Sequence, residues 1–185
     1  MSLRWLPNAI CVVRILLVAP LVAALLDERY ELALVLLIVA GGSDALDGFL
    51  AKTFDWRTRL GGLLDPAADK LLIGSVFLTL TYLGKIPLAL ALIVVLRDIV
   101  IVVGAVAYQL LIEPVQGKPS LISKLNTACQ LSFVLFALTT AAYGLPGDVV
   151  LIPLGAAVVF TSITSGLNYV LRWSRRAWRS SHVRG

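Results

Sequence analysis

Asp44 and Asp47 lie three residues apart in this chain, and Asp65 and Asp69 lie four apart. On helices, each pair shares one face. Gly48 and Ala51 continue the first face and Gly61 the second, and residues this small let a ligand come close to the backbone. Each pair sits near one end of a stretch that is otherwise apolar, where a carboxylate is costly and needs a polar cavity or a partner. If a short connection makes the two helices antiparallel neighbours, four carboxylates meet at one depth. They cannot all stay ionised without counter-charge. All-oxygen ligation selects Mg2+ or Mn2+, and two such ions can hold a diphosphate and orient an attacking oxygen. Two competing readings use the same residues. The acids are structural, neutralised by Lys52, Arg57, Arg59 and Lys70, or they line an ion or proton pathway in a transporter.

Other site chemistries have no residues to work with. The one histidine, His182, sits in a polar tail, which argues against a His-centred triad or a zinc site. Cys11 and Cys129 lie in apolar runs without metal-ligand spacing and read as small core residues.

The elements that position the acids follow from composition. Of 185 residues, 59% are apolar and 15% charged, with a mean hydropathy of +0.91. Soluble domains are about 45–50% apolar and about 25% charged, so the excess apolar surface must face lipid. A span needs about 20 mostly apolar residues, and six stretches qualify: Ala9 to Leu26, Tyr30 to Ala51, Gly61 to Leu83, Ile86 to Leu111, Leu121 to Tyr143 and Val149 to Leu171. Backbone hydrogen bonding in lipid requires them to be helical. The expected fold is therefore an all-α integral membrane bundle of six transmembrane helices. It forms one catalytic domain over residues 1–185, with 171–185 as a basic cytoplasmic tail. Pro66 falls in the first turns of its helix and crowds only Gly62.

Net charge is +5. Arg4, Lys52, Arg57, Arg59, Lys118, Lys124 and the arginines after residue 171 fall on one side, against Arg29 and Lys85 on the other. The positive-inside rule then puts both termini and the acidic ends of the spans in the cytoplasm. No nucleic-acid partner is needed to explain the charge. Trp173 and Trp178 suit an interfacial belt. The first apolar run carries Arg14 and merges into a full span, so it does not read as a cleavable signal, and no Arg- and Ser-rich transit segment precedes it. A bacterial inner membrane is the expected location.

The stretch Asp44-x2-Asp47-Gly48-x2-Ala51-Lys52-x8-Gly61-x3-Asp65-x3-Asp69 resembles the signature of the CDP-alcohol phosphotransferases. In that signature two aspartates, Gly, Ala-Arg and Gly precede two more aspartates. Six helices are also the family arrangement, so the resemblance extends over nearly the whole chain. Lys52 departs from the usual Arg; it keeps the charge and loses the planar fork. The resemblance implies that Asp44, Asp47, Asp65 and Asp69 hold two divalent ions, Mg2+ or Mn2+. Asp69 would also be the catalytic base that takes the acceptor's hydroxyl proton. Gly48, Ala51, Lys52 and Gly61 would receive the CDP part of the donor, CDP-diacylglycerol, and CMP would leave. A homodimer is implied as well.

The acceptor is read elsewhere. The opening Leu6-Pro7-Asn8-Ala9-Ile10-Cys11-Val12-Val13-Arg14 is similar to one shared by the cardiolipin and phosphatidylglycerophosphate synthase branches. Arg97-Asp98 and Pro119-Ser120-Leu121-Ile122-Ser123-Lys124-Leu125-Asn126-Thr127-Ala128 resemble the CMP-forming cardiolipin synthase branch. That branch implies phosphatidylglycerol as acceptor, with glycerol-3-phosphate the alternative. Arg97, Lys124 and Arg14 would supply positive charge for the acceptor's phosphate, and Asn8, Ser123 and Asn126 would line the same pocket. An Arg97–Asp98 local charge pair with a snorkelling Lys124 is the plainer reading.

Overall fold

The computed structural model describes residues 6–53, 61–111 and 120–183, and the side chains of 9–43, 68–104 and 120–171. The described residues are all helical apart from turns. The helices are α1 (Leu6–Leu26), α2 (Tyr30–Thr53), α3 (Gly61–Tyr82), α4 (Leu88–Leu111), α5 (Leu121–Tyr143) and α6 (Asp148–Val183). They match the six apolar stretches to within a few residues, except that α6 continues twelve residues past Leu171 to Val183. The basic tail is thus largely helical. No Gly or Pro interrupts it after Gly166 until Gly185, and its Arg and Ala residues are good helix formers.

Among the described residues three stretches are long and apolar enough to cross a membrane unaided: Ala9–Leu26, Leu121–Tyr143 and Asp148–Leu171. Within α2 the apolar stretch Tyr30–Ser43 is shorter. Burial runs inside out relative to a soluble protein. Val13, Leu16, Ile38, Leu96, Val103 and Phe160 are exposed, while Arg14, Arg97, Asn126, Gln130, Ser162 and Ser165 are buried. Water would not reward that arrangement and lipid does. This is a membrane protein.

The chain forms two compact units, and α5 contributes to both. The first comprises Met1–Pro87 and Val134–Asp148. In it α1 packs against both α2 and α3, the helices that carry the four aspartates. Leu21, Leu25, Leu37, Val76, Phe77 and Leu80 are among its buried side chains.

Two of its helix ends close in the same way. At the end of α1, Arg29 N–H bonds Ala24 O and Glu28 N–H bonds Leu25 O. At the end of α3, Lys85 N–H bonds Leu80 O and Gly84 N–H bonds Thr81 O. Each nested pair satisfies carbonyls that a helix leaves open, with one left-handed residue in the middle. Gly84 takes φ 69° without strain, whereas Glu28 takes φ 55° despite its side chain. Lys85 Nζ then lies 5.3 Å from the centroid of the Tyr30 ring, a cation–π contact between the two turns.

The second unit comprises Leu88–Phe133 and Val149–Gly185. Gly155 of α6 brings that backbone close to α4 and α5: a Cβ there would meet the Phe133 ring at 3.4 Å and Leu90 Cδ2 at 3.9 Å. Val94, Val158 and Phe133 are buried nearby in sequence on the same three helices.

Candidate functional site

Helix α2 carries Asp44, Asp47, Gly48, Ala51 and Lys52, and α3 carries Gly61, Asp65 and Asp69. Both segments are helical in backbone over these positions. Of these side chains only that of Asp69 is described; the others, and that of Asn8 on α1, lie outside the described residues.

Asp69 is paired. Arg14 Nη1 on α1 donates to Asp69 Oδ1 at 3.1 Å, across 55 residues of sequence. The Arg14 side chain is fully buried and that of Asp69 is 34% exposed. α1 therefore brings a guanidinium into the unit's interior to meet the last acid of the series, and that acid stays part-exposed. Ala68 beside it is fully buried, which seats this turn of α3 firmly. The donor type suits the group implied: a partly open carboxylate on a helix with a second acid four residues back is a hard, all-oxygen donor set for Mg2+ or Mn2+. Among the described residues no cluster of three or more metal-ligating side chains occurs, and three of the four aspartates lie outside them.

The second unit holds a polar cluster of its own. Arg97, on the α4 face turned inward, is only 6% exposed. Its Nη1 donates to Asp98 at 2.6 Å. Its Nη2 donates to Ser123 Oγ on α5 at 2.8 Å and to Ser165 Oγ on α6 at 2.6 Å. Four residues earlier on α6, Thr161 and its neighbour Ser162 donate to Asn126 Oδ1 at 2.9 and 2.7 Å. Ser123, Asn126 and Gln130 follow helical spacing on α5, as Thr161, Ser162 and Ser165 do on α6. A polar seam thus joins α5 to α6, with Arg97 of α4 at one end.

The proposed acceptor residues therefore fall into different settings. Arg97 and Ser123 are in direct contact. Asn126 is fully buried and committed to Thr161 and Ser162. Lys124 is exposed, on the other side of α5 from Asn126. Arg14 is bonded to Asp69 in the first unit.

Ser165, Thr161 and Ser162 were not among the residues singled out by sequence. The available signal was three hydroxyls at helical spacing in an otherwise apolar span. Single buried Ser and Thr residues are ordinary in such helices, so only the contact with Arg97 distinguishes Ser165.

A family model described as CDP-alcohol phosphatidyltransferase matches residues 4–165. Cardiolipin synthase (CMP-forming) of Homo sapiens is 32% identical over 180 residues, covering 89% of this chain and 60% of the human protein. The cardiolipin synthase (CMP-forming) / mitochondrial hydrolase fusion protein of Schizosaccharomyces pombe is 33% identical over 192 residues, covering 95% of this chain and 32% of the fusion. CDP-diacylglycerol--glycerol-3-phosphate 3-phosphatidyltransferase of Aquifex aeolicus is 32% identical over 123 residues, or 65% of this chain and 68% of that enzyme. The chain thus spans about three-fifths of the human relative's length.

Proposed function

This chain belongs to the CDP-alcohol phosphatidyltransferase family, and on that premise we propose that it makes cardiolipin. It transfers a phosphatidyl group from CDP-diacylglycerol to the terminal glycerol hydroxyl of phosphatidylglycerol, releasing CMP. The observation that carries the acceptor is the 32% identity to a CMP-forming cardiolipin synthase over 89% of the chain. Glycerol-3-phosphate is the alternative acceptor, favoured by the likeness to the Aquifex aeolicus enzyme. Family membership weighs against the transporter reading.

The residues divide the work. Asp44, Asp47, Asp65 and Asp69 hold two divalent ions, which neutralise the diphosphate and make its phosphorus more electrophilic. Gly48, Ala51, Lys52 and Gly61 receive the CDP moiety. Asp69 accepts the proton of the attacking hydroxyl as the new oxygen–phosphorus bond forms, and the bond to CMP breaks. Arg14 supports this by fixing the Asp69 carboxylate through Oδ1. That contact favours a supporting role for Arg14 over direct binding of acceptor. Arg97, Ser123 and Lys124 recognise the acceptor's phosphate, and Asn8 and Asn126 are further acceptor-binding residues.

All six helices span the bilayer, and both termini and the aspartate ends lie on the cytoplasmic side, where Lys and Arg collect. Lipid tails then remain in the bilayer while head groups reach the acids. One catalytic domain of six helices and a homodimer complete the proposal; the family match runs through parts of both units.

The deciding experiment supplies purified protein in lipid with CDP-diacylglycerol and Mg2+ or Mn2+. Phosphatidylglycerol is added to one sample and glycerol-3-phosphate to another. Metal-dependent CMP release with cardiolipin as product is expected. Turnover with glycerol-3-phosphate alone would replace the acceptor, and no CMP release with either would overturn the reading.

A further inference from the structure

Among the described residues six hydroxyls reach back to the carbonyl of an earlier turn: Ser43 to Ala40, Thr79 to Ser75, Thr127 to Ser123, Thr139 to Leu135, Thr161 to Ala157 and Thr164 to Phe160. That is the default for Ser and Thr in apolar helices. Ser165 does otherwise. It is fully buried, and among the described residues its single hydrogen bond is the one it accepts from Arg97 Nη2 at 2.6 Å, across 68 residues of sequence. Its oxygen is thus aimed at α4 and away from its own helix. Gly166 follows, and a Cβ there would lie 3.7 Å from Arg97 Cγ, so this turn of α6 walls both the stem and the head of the arginine.

The guanidinium's hydrogens can be counted. Nη2 has two, and Ser165 and Ser123 take one each. Nη1 gives one to Asp98, and Nε is buried without a partner. Three acceptors on α4, α5 and α6 therefore fix the plane and rotation of a five-donor fork. The two serines differ in access: Ser123 is half-buried and Ser165 is sealed. Ser165 can hold the fork but cannot reach a ligand. Ser123, with its hydroxyl polarised by the guanidinium, lies on the accessible side.

We infer that Ser165 is a positioning residue for acceptor recognition: it locks the Arg97 guanidinium so that its charge, directly and through the Ser123 hydroxyl, is presented to the phosphate of the acceptor lipid. The inference rests on the proposed acceptor role of Arg97. It adds a specificity determinant on α6 that touches neither substrate.

The test measures steady-state kinetics of the full chain in lipid, varying acceptor and CDP-diacylglycerol separately, with melting temperature recorded for every variant. Ser165→Ala removes one acceptor from the clasp; a hydrogen bond to a charged group corresponds to about tenfold or more, of which about fivefold to tenfold should reach the acceptor through Arg97. That change is expected in the KM for acceptor, with kcat and the KM for CDP-diacylglycerol held within about twofold. Ser165→Thr, which keeps the hydroxyl, should restore the acceptor KM. Arg97→Gln should raise the acceptor KM further, and adding Ser165→Ala to it should change nothing more. If Arg97→Gln raises the acceptor KM and Ser165→Ala does not, the positioning role is lost and the acceptor reading survives. If neither raises it, the acceptor reading itself fails. Equal loss for both substrates in Ser165→Ala, together with a lowered melting temperature, would mark an ordinary packing residue and overturn the inference.

Discussion

Arg14 in the first unit and Arg97 in the second are both buried, at 0% and 6% exposure, yet they are held by different chemistry. Arg14 meets the carboxylate of Asp69 on another helix, so its link between α1 and α3 is an ion pair. Arg97 has its acid next to it in sequence, so the Arg97–Asp98 ion pair lies within α4. Its links to α5 and α6 run through the neutral hydroxyls of Ser123 and Ser165. An ion pair is strong and weakly directional, and cutting it strands a charge in a medium that solvates it poorly. Hydroxyl acceptors are weaker individually but set an orientation. The first arrangement suits a carboxylate that must stay charged and in place. The second suits a guanidinium that must present a defined edge to an incoming anion.

The largest effect is expected at the acid of the first pair. Asp69→Asn keeps the shape and a bonding oxygen for Arg14 but removes both the proposed base and one charge proposed to ligate metal. Turnover should fall by at least about a thousandfold, the upper range for loss of a general base, measured as CMP release. Substantial activity in Asp69→Asn would take the base assignment away from this residue.

Arg14→Gln comes next. Removing the cation from a part-buried pair costs on the order of 3 kcal/mol, reduced here because Asp69 is one-third exposed. Denaturant unfolding in detergent should show that loss, and kcat should fall while the acceptor KM stays level. The double variant Arg14→Gln with Asp69→Asn should lose less than the sum, since the two residues touch. A raised acceptor KM in Arg14→Gln would instead return Arg14 to the acceptor's phosphate, the role its sequence position suggested.

The sequence carried the helices further than their partners. Hydropathy and turn residues located six helices, and Asp27-Glu28-Arg29, Gly84-Lys85 and Gly144-Leu145-Pro146-Gly147 each fall in a break between them. Periodicity also indicates which face a residue takes, and an arginine in an apolar run favours the protein interior, where Arg97 lies, over lipid. Periodicity carries no information about what stands opposite. Arg14 and Asp69 are 55 residues apart, and Arg97 and Ser165 are 68 apart; those pairings are decided by packing of whole helices. The end of α6 was hidden for a different reason. Hydropathy stops at Leu171, but helix propensity does not, and the basic segment has no breaker to end it.

Replacement of Arg97 should separate the two units further. Arg97→Gln keeps a donor for the serines but leaves Asp98, whose side chain is 15% exposed, without the Arg97 cation. The expected stability loss is on the order of 3 kcal/mol, at least that of Arg14→Gln, since Asp69 is the more exposed acid at 34%. The acceptor KM should also rise about tenfold or more, the value of one charge-assisted bond to phosphate, where Arg14→Gln leaves it level. An unchanged acceptor KM in Arg97→Gln would remove the contrast between the two arginines.

Lys124 gives the smallest expected change and the cleanest contrast with Arg97. It follows Ser123 directly, but its side chain is exposed where Arg97 is sealed. An ammonium on a flexible stem in high dielectric contributes about 0.2–1 kcal/mol to an ion pair, so Lys124→Gln should raise the acceptor KM only about twofold to fivefold. Exposure also makes the contribution sensitive to salt, because the Debye length falls from about 10 Å at 0.1 M to about 3 Å at 1 M. The wild type and Lys124→Gln should therefore converge as ionic strength rises, while the gap between wild type and Arg97→Gln should persist, since a buried charge is screened far less. Measuring the acceptor KM of all three proteins across that range would show whether the two cations act at one phosphate from environments of different dielectric. A salt-independent Lys124→Gln effect would place Lys124 in contact with acceptor inside a closed site. No effect at any salt would leave it a snorkelling side chain with no part in binding.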